Sequence, residues 1–150
     1  MTLNRYSVQV VKEQTAHYES LPEVTDPASL CCLIREALGL DKKLQEEVHI
    51  IMFNAKMKPI GSALIGMGGL TTCPASLADI FRPAICKGAY AICLTHNHPS
   101  GETEPSVQDD VLTKNAIAAG KILGIEVVDH IICADGGFHS YRDARPDMFK

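Results

Sequence analysis

Residues 94–110, LTHNHPSGETEPSVQDD, set two histidines one residue apart at the end of an apolar run, and ten residues separate the second from Asp109. Side chains two apart in an extended segment point the same way, so His96 and His98 can present their imidazoles to one point. Neutral imidazole suits Zn²⁺, and a carboxylate suits it as a third ligand. Three protein ligands leave a fourth tetrahedral position for water, the arrangement of a catalytic zinc rather than a structural one. The same letters carry an ordinary alternative. Ser106 followed at the third position by Asp109 is a helix-capping pattern, and HPSG can be a turn with solvated histidines. Capping and ligation are compatible, because a cap fixes where the first turn sits and its side chains then face back toward the loop. On spacing alone, both readings stand.

The neighbouring stretches give these residues their setting. AYAICL (89–94) is short, apolar and bounded, so it predicts a buried strand that leads into His96. SVQDDVLTKNAIAAGKILG predicts a helix, with Val107, Val111, Leu112, Ala116, Ile122 and Leu123 at helical spacing and a stop at Gly124. IEVVDHIICA, the turn DGG and FHSY form a final strand pair, and RDARPDMFK reads as a loose tail. Upstream, EEVHIIMF and IGSALIG flank NAKMKP as two antiparallel strands, and GMGG breaks the chain. SLADIFRPAICKG reads as a helix that Pro83 kinks or divides. TDPASLCCLIREALGL is a helix with Asp26 placed to cap it, Pro27 in its first turn and Gly39 at its end; Leu30, Leu33, Ile34, Ala37 and Leu38 form one face. RYSVQVV alternates Tyr6, Val8 and Val10 with polar residues, which suits a half-buried strand. Strands and helices intermix around a central sheet.

The 150-residue length corresponds to one domain by the usual size prior. With 46% hydrophobic and 21% charged residues the composition is globular, and a net charge of −4 without a Lys/Arg cluster argues against a preformed basic face for nucleic acid. No run has the length of a membrane span, and the start lacks the apolar core of a signal peptide, so a cytoplasmic protein is expected. The six cysteines show no CxxC pairing. All but Cys73 sit among apolar neighbours, so Cys31, Cys32, Cys86, Cys93 and Cys133 are expected to be buried and reduced.

The segment His96-Asn97-His98-Pro99-Ser100-Gly101, followed by Pro105-Ser106-Val107-Gln108-Asp109, resembles the JAMM (MPN+) metalloprotease signature and more closely its RadC-like branch. The LGIEVVDHII stretch, with Asp129 and His130, and FHSY also look like that family's closing strands. The resemblance covers roughly residues 45–142. It implies an α/β architecture, with a mixed sheet flanked by helices as in the JAMM and cytidine-deaminase-like folds. The whole chain would then be a single domain over 1–150, with its core at about 45–142 and an N-terminal strand and helix within 5–40. It further implies Zn²⁺ held by His96, His98 and Asp109, Ser106 stabilising the tetrahedral intermediate, and a glutamate on an earlier strand acting as general base. QEEVHIIMFN offers two glutamates. The family's spacing to Asn54 points to Glu46, and strand alternation puts Glu46, Val48, Ile50 and Met52 on one face and Glu47, His49, Ile51 and Phe53 on the other. The first set is more uniformly apolar, which favours Glu46.

Where RadC-like chains carry Pro-Arg-Glu, this sequence has Leu77, Ala78 and Asp79, which bears on substrate binding more than on metal binding. The helix-hairpin-helix-type region of longer family members is not recognisable. The implied activity is zinc-dependent hydrolysis of an amide or isopeptide bond in a protein or peptide. Two rivals are a non-catalytic module for DNA-repair-linked or protein assembly, and a metal-dependent nuclease. A complete Glu, His, His, Ser, Asp set argues against the scaffold, and the missing basic patch argues against the nuclease. No HxE or PCxxC of a deaminase appears. His130 can orient a ligand or be a satisfied core histidine, while His17, His49 and His139 are simplest as surface or edge residues. Gly68 and Gly69 fit either a backbone strip beside the cleft or a turn.

Overall fold

The computed structural model describes residues 3–18, 23–68 and 75–150. Its first element, helix α1 (Pro27–Leu38), starts where Asp26 accepts a hydrogen bond from the Ser29 N–H at 2.7 Å. It ends at Gly39, whose left-handed φ of 57° lets its N–H reach the Arg35 carbonyl. Strands β1 (Glu47–Phe53) and β2 (Pro59–Met67) pair antiparallel. In their turn the Asn54 side-chain oxygen takes the N–H groups of Lys56 and Lys58. Helix α2 (Leu77–Lys87) follows, capped by Ser76. Strand β3 (Ala91–Asn97) then runs through His96. Helix α3 (Val107–Leu123), strand β4 (Glu126–Ala134), strand β5 (Gly137–Ser140) and the single-turn helix α4 (Tyr141–Ala144) complete the chain with a 3₁₀ turn, Pro146–Phe149.

The five strands form one mixed sheet in the order β2-β1-β3-β4-β5, in which β3 and β4 are parallel and the other neighbours antiparallel. Helices cover both faces, which makes the fold α/β as expected. Val48, Ile50, Met52, Ile92 and Leu94 pack with Ile80, Phe81 and Ala84 of α2 and with Ala116 and Ile117 of α3. On the other side Ile51, Phe53, Ala91, Cys93, Ile131 and Cys133 meet Leu30, Cys31, Leu33 and Ile34 of α1. The alternation expected for β1 therefore separates two cores rather than a core from solvent, and all seven of its residues are buried.

Several expectations need correction. Residues 5–11 form no strand: they are irregular, and Tyr6, Val8 and Val10 are exposed, because alternation yields a strand only where a partner edge accepts it. The presumed tail folds into α4 and the 3₁₀ turn, with Met148 and Phe149 packed against the core. Of the two effects expected of Pro83, division does not occur, since α2 runs through it as one helix. Helix α3 turns Asp109, Thr113, Ala116, Ile117 and Gly120 inward, while Val107, Val111, Ile122 and Leu123 are exposed. Gly120 shows why: a side chain there would meet the Ile125 carbonyl oxygen at 2.5 Å, so this face sits flush on the start of β4. His49 is buried and bonded to Glu47 rather than lying at the surface.

Among the cysteines, Cys31, Cys93 and Cys133 are buried, but Cys32 and Cys86 are exposed; Cys73 lies outside the described residues. Neighbours on a helix point about 100° apart, so Cys31 and Cys32 cannot share an environment. Burial pushes the Cys93 thiol well above its ordinary pKa. A thiol reagent followed by peptide mapping is therefore expected to modify Cys32 and Cys86 in the native protein, and Cys31, Cys93 and Cys133 only on unfolding. Native labelling of Cys93 as fast as Cys86 would contradict this burial.

Candidate metal centre

The end of β3 and the start of α3 converge on the α2/α3 side of the sheet. His96 pairs in register with Val48, whose side chain lies in the core on that side, and His96 itself is fully buried. His98 lies just past the strand and is partly exposed. Asp109, 1% exposed, is brought in by the helix cap. Its backbone N–H donates to Ser106 Oγ at 3.2 Å, and its Oδ2 accepts from both the Ser106 N–H and the Ser106 hydroxyl at 2.7 Å. Capping and convergence are thus the same geometry. His96 Nε2 lies 3.0 Å from His98 Nε2 and 3.1 Å from Asp109 Oδ1, and His98 Nε2 lies 3.6 Å from Asp109 Oδ2. The three donor atoms fall within 4.8 Å of one another, so this group can hold a metal ion.

The donor chemistry fits a cation. The Glu102 carbonyl, an acceptor only, sits 3.0 Å from His98 Nδ1, so that nitrogen carries a hydrogen and a neutral ring aims its Nε2 lone pair at His96 and Asp109. Electron-rich atoms crowd one point, and a positive charge relieves them. Burial by itself would raise the Asp109 pKa, but the His96 and His98 contacts and the Ser106 N–H hold it well below the ordinary carboxylate range. His98 is pushed up chiefly by its contact with Asp109, and the Glu46 charge adds to the effect.

Glu46 immediately precedes β1, and its charge is felt at His98. Glu47 faces away: its carboxylate bonds His49 Nε2 at 2.8 Å and pairs with Lys43 at 3.4 Å. The Ser106 hydroxyl, expected to face a developing oxyanion, directs its hydrogen to Asp109 in this structure. Leu77, Ala78 and Asp79 form the first turn of α2, where Asp79 is bonded by Ser76 and Arg82. Gly68 ends β2 at φ 94° with its N–H on the Glu46 carbonyl, and Gly69 lies outside the described residues. A cleft of about 340 Å³ opens between His98, Pro99 and Gly101 on one side and residues 41–44 on the other.

Two residues had no expected role. Asn97, between the histidines, points to the opposite side and is buried. Its oxygen accepts the Glu47 N–H at 2.8 Å, and its amide donates to the Lys43 and Gln45 carbonyls. This ties the approach to Glu46 onto the histidine strand. Strand alternation could have flagged it. Thr113 lies one turn beyond Asp109 and touches His130, which is fully buried against His96; nothing in a mid-helix threonine signals this.

Comparison with known proteins gives the fold and the site a common context. A family model described as "RadC-like JAB domain" matches residues 24–146. The UPF0758 protein STH371 of Symbiobacterium thermophilum is 39% identical over 98 residues, covering 65% of this chain and 42% of that protein. The UPF0758 protein TTE0897 of Caldanaerobacter subterraneus subsp. tengcongensis is 40% identical over 113 residues, covering 75% and 48%. UPF0758 protein AM1_4368 of Acaryochloris marina is 36% identical over 124 residues, covering 81% and 50%. This chain thus spans about half the length of the curated relatives it matches. Among the described residues no helix is long and apolar enough to cross a membrane. With a match across most of its length, a mixed sheet between helices and a His-His-Asp cluster at the end of β3, the chain belongs to the RadC-like JAB domain family.

Proposed function

We propose that this domain is a zinc-dependent hydrolase that cleaves an amide or isopeptide bond in a protein or peptide. The observation that carries this reading is the convergence of His96 Nε2, His98 Nε2 and the Asp109 carboxylate, with the charge of Glu46 felt at His98. His96, His98 and Asp109 would hold the ion, which when bound supplies Lewis acidity toward a water and a carbonyl oxygen. The Glu46 carboxylate takes a proton from the attacking water as the new C–O bond forms. It returns that proton to the amine nitrogen as the C–N bond breaks. Ser106 can turn its hydroxyl hydrogen from Asp109 toward the carbonyl oxygen as negative charge develops there, in the manner of an oxyanion-hole donor. The cleft beside His98 gives an extended chain a path to this point.

Elemental analysis of the purified protein, paired with cleavage assays on peptide and isopeptide-linked substrates, tests the proposal. About one equivalent of zinc per chain and cleavage that a chelator abolishes support it. Absence of bound metal at neutral pH after incubation with excess zinc would overturn it.

A further inference from the structure

We propose that Thr113 and His130 are positioning residues that fix the tautomer of His96, keeping its Nε2 lone pair free for a metal. The inference rests on the metal-centre reading above and adds a hydrogen-bond relay running from α3 through β4 to β3.

The relay follows from counting hydrogens. The Thr113 hydroxyl lies 2.6 Å from the Asp109 carbonyl oxygen, which can only accept, so its one hydrogen is directed there. His130 Nδ1 lies 2.6 Å from the same hydroxyl oxygen. With that hydrogen already committed, the imidazole must donate, and Nδ1 carries the His130 hydrogen. His130 is fully buried and its two ring nitrogens bond the Thr113 hydroxyl and the His96 ring, neither of them an anion that would offset a buried charge, so the ring is neutral and its Nε2 is bare. Nε2 lies 2.8 Å from His96 Nδ1 and has only a lone pair to offer, so His96 Nδ1 donates. A neutral His96 then has no hydrogen on Nε2, the atom that faces His98 Nε2 and Asp109 Oδ1. Tyr141 stacks on His130 at 5.0 Å and 8°, which holds the ring plane of the middle member.

This arrangement makes α3 contribute twice. Asp109 supplies a carboxylate, and the residue one turn later sets the hydrogen positions on a ligand from another strand. The Glu102 carbonyl does the same for His98 in a single step. Both imidazoles then meet the ion as acceptors, which is what ligation by neutral histidine requires.

Two measurements test the relay. Long-range ¹H–¹⁵N correlation of the imidazoles in metal-free protein should place the His96 hydrogen on Nδ1 and the His130 hydrogen on Nδ1. Zinc competition titrations on Thr113→Val should show affinity reduced by about 10–100-fold, the usual cost of removing a partner of a ligating histidine. Valine keeps the volume and the branched shape but leaves His130 Nδ1 without an acceptor. The His130 ring then does better with its hydrogen on Nε2, which forces the His96 hydrogen onto its own Nε2. Thr113→Ser restores the hydroxyl and should restore both affinity and tautomers. A His96 hydrogen on Nε2 in the wild-type spectrum overturns the relay, and so does a Thr113→Val protein with wild-type affinity. Should Thr113→Val fail to fold, the wild-type spectrum alone decides. A wild-type chain with the stated tautomers that binds no zinc supports the relay as a hydrogen-bond network and counts against the zinc hydrolase.

Discussion

Glu46→Gln is expected to keep about one equivalent of zinc and to lose roughly a hundredfold or more of its turnover on a cleavable amide. Glutamine preserves the size and hydrogen-bonding reach of the side chain but cannot take up a proton at neutral pH. The three groups that converge on the centre cannot serve instead without leaving it. Glu46 immediately precedes β1 and lies close enough to His98 for its charge to be felt there. Glu47→Gln is the matched control. That carboxylate faces the other side, bonded to His49 and Lys43, so its loss should leave turnover near wild type at a modest cost in stability. Metal analysis beside initial-rate kinetics separates the outcomes. Loss of zinc in Glu46→Gln would make it a ligand, and inactivity confined to Glu47→Gln would move the catalytic role to the other glutamate.

His96→Ala/His98→Ala, and separately Asp109→Ala, should purify without stoichiometric zinc and without activity. Each removes donors from a cluster whose atoms lie within 4.8 Å. The two variants differ in what else they disturb. Asp109 also completes the reciprocal cap with Ser106, so its removal carries an added stability loss of about 1 kcal/mol. The histidine pair has no part in that cap, which makes the double variant the cleaner test. Thermal melts alongside elemental analysis keep unfolding apart from loss of ligation. Stoichiometric zinc persisting in the double variant would remove the site from these residues.

The elements around the histidines were legible because their signals are local. AYAICL is short, apolar and bounded, which favours a buried strand, and Ser106 and Asp109 mark the start of α3 within four letters. The β1–β2 turn and the Asp26 and Gly39 boundaries of α1 are equally local, and the family motif adds the identity of the fold. What was missed depends on partners distant in the chain. Tyr6, Val8 and Val10 alternate as a strand would, yet no ladder receives them. Val107, Val111, Ile122 and Leu123 look like a core face, but α3 must lie flush against β4 at Gly120, and that contact turns the small and polar face inward. The same rotation buries Asp109 and Thr113. Pattern alone put those four apolar residues on the wrong side and passed over the threonine.

Asn97 bears on how the centre behaves before any substrate arrives. Its buried amide holds the Glu47 N–H and two carbonyls of the segment leading to Glu46, so that segment cannot lift away without leaving buried polar groups unpaired. Each such group costs about 1–3 kcal/mol, enough to make a short loop open and close with the sheet rather than on its own. The carboxylate and the imidazoles, some fifty residues apart in sequence, then unfold as one unit. On the proposed hydrolase reading, an incoming chain would find the glutamate already placed, and its binding energy would go toward orienting the scissile bond instead of ordering the protein.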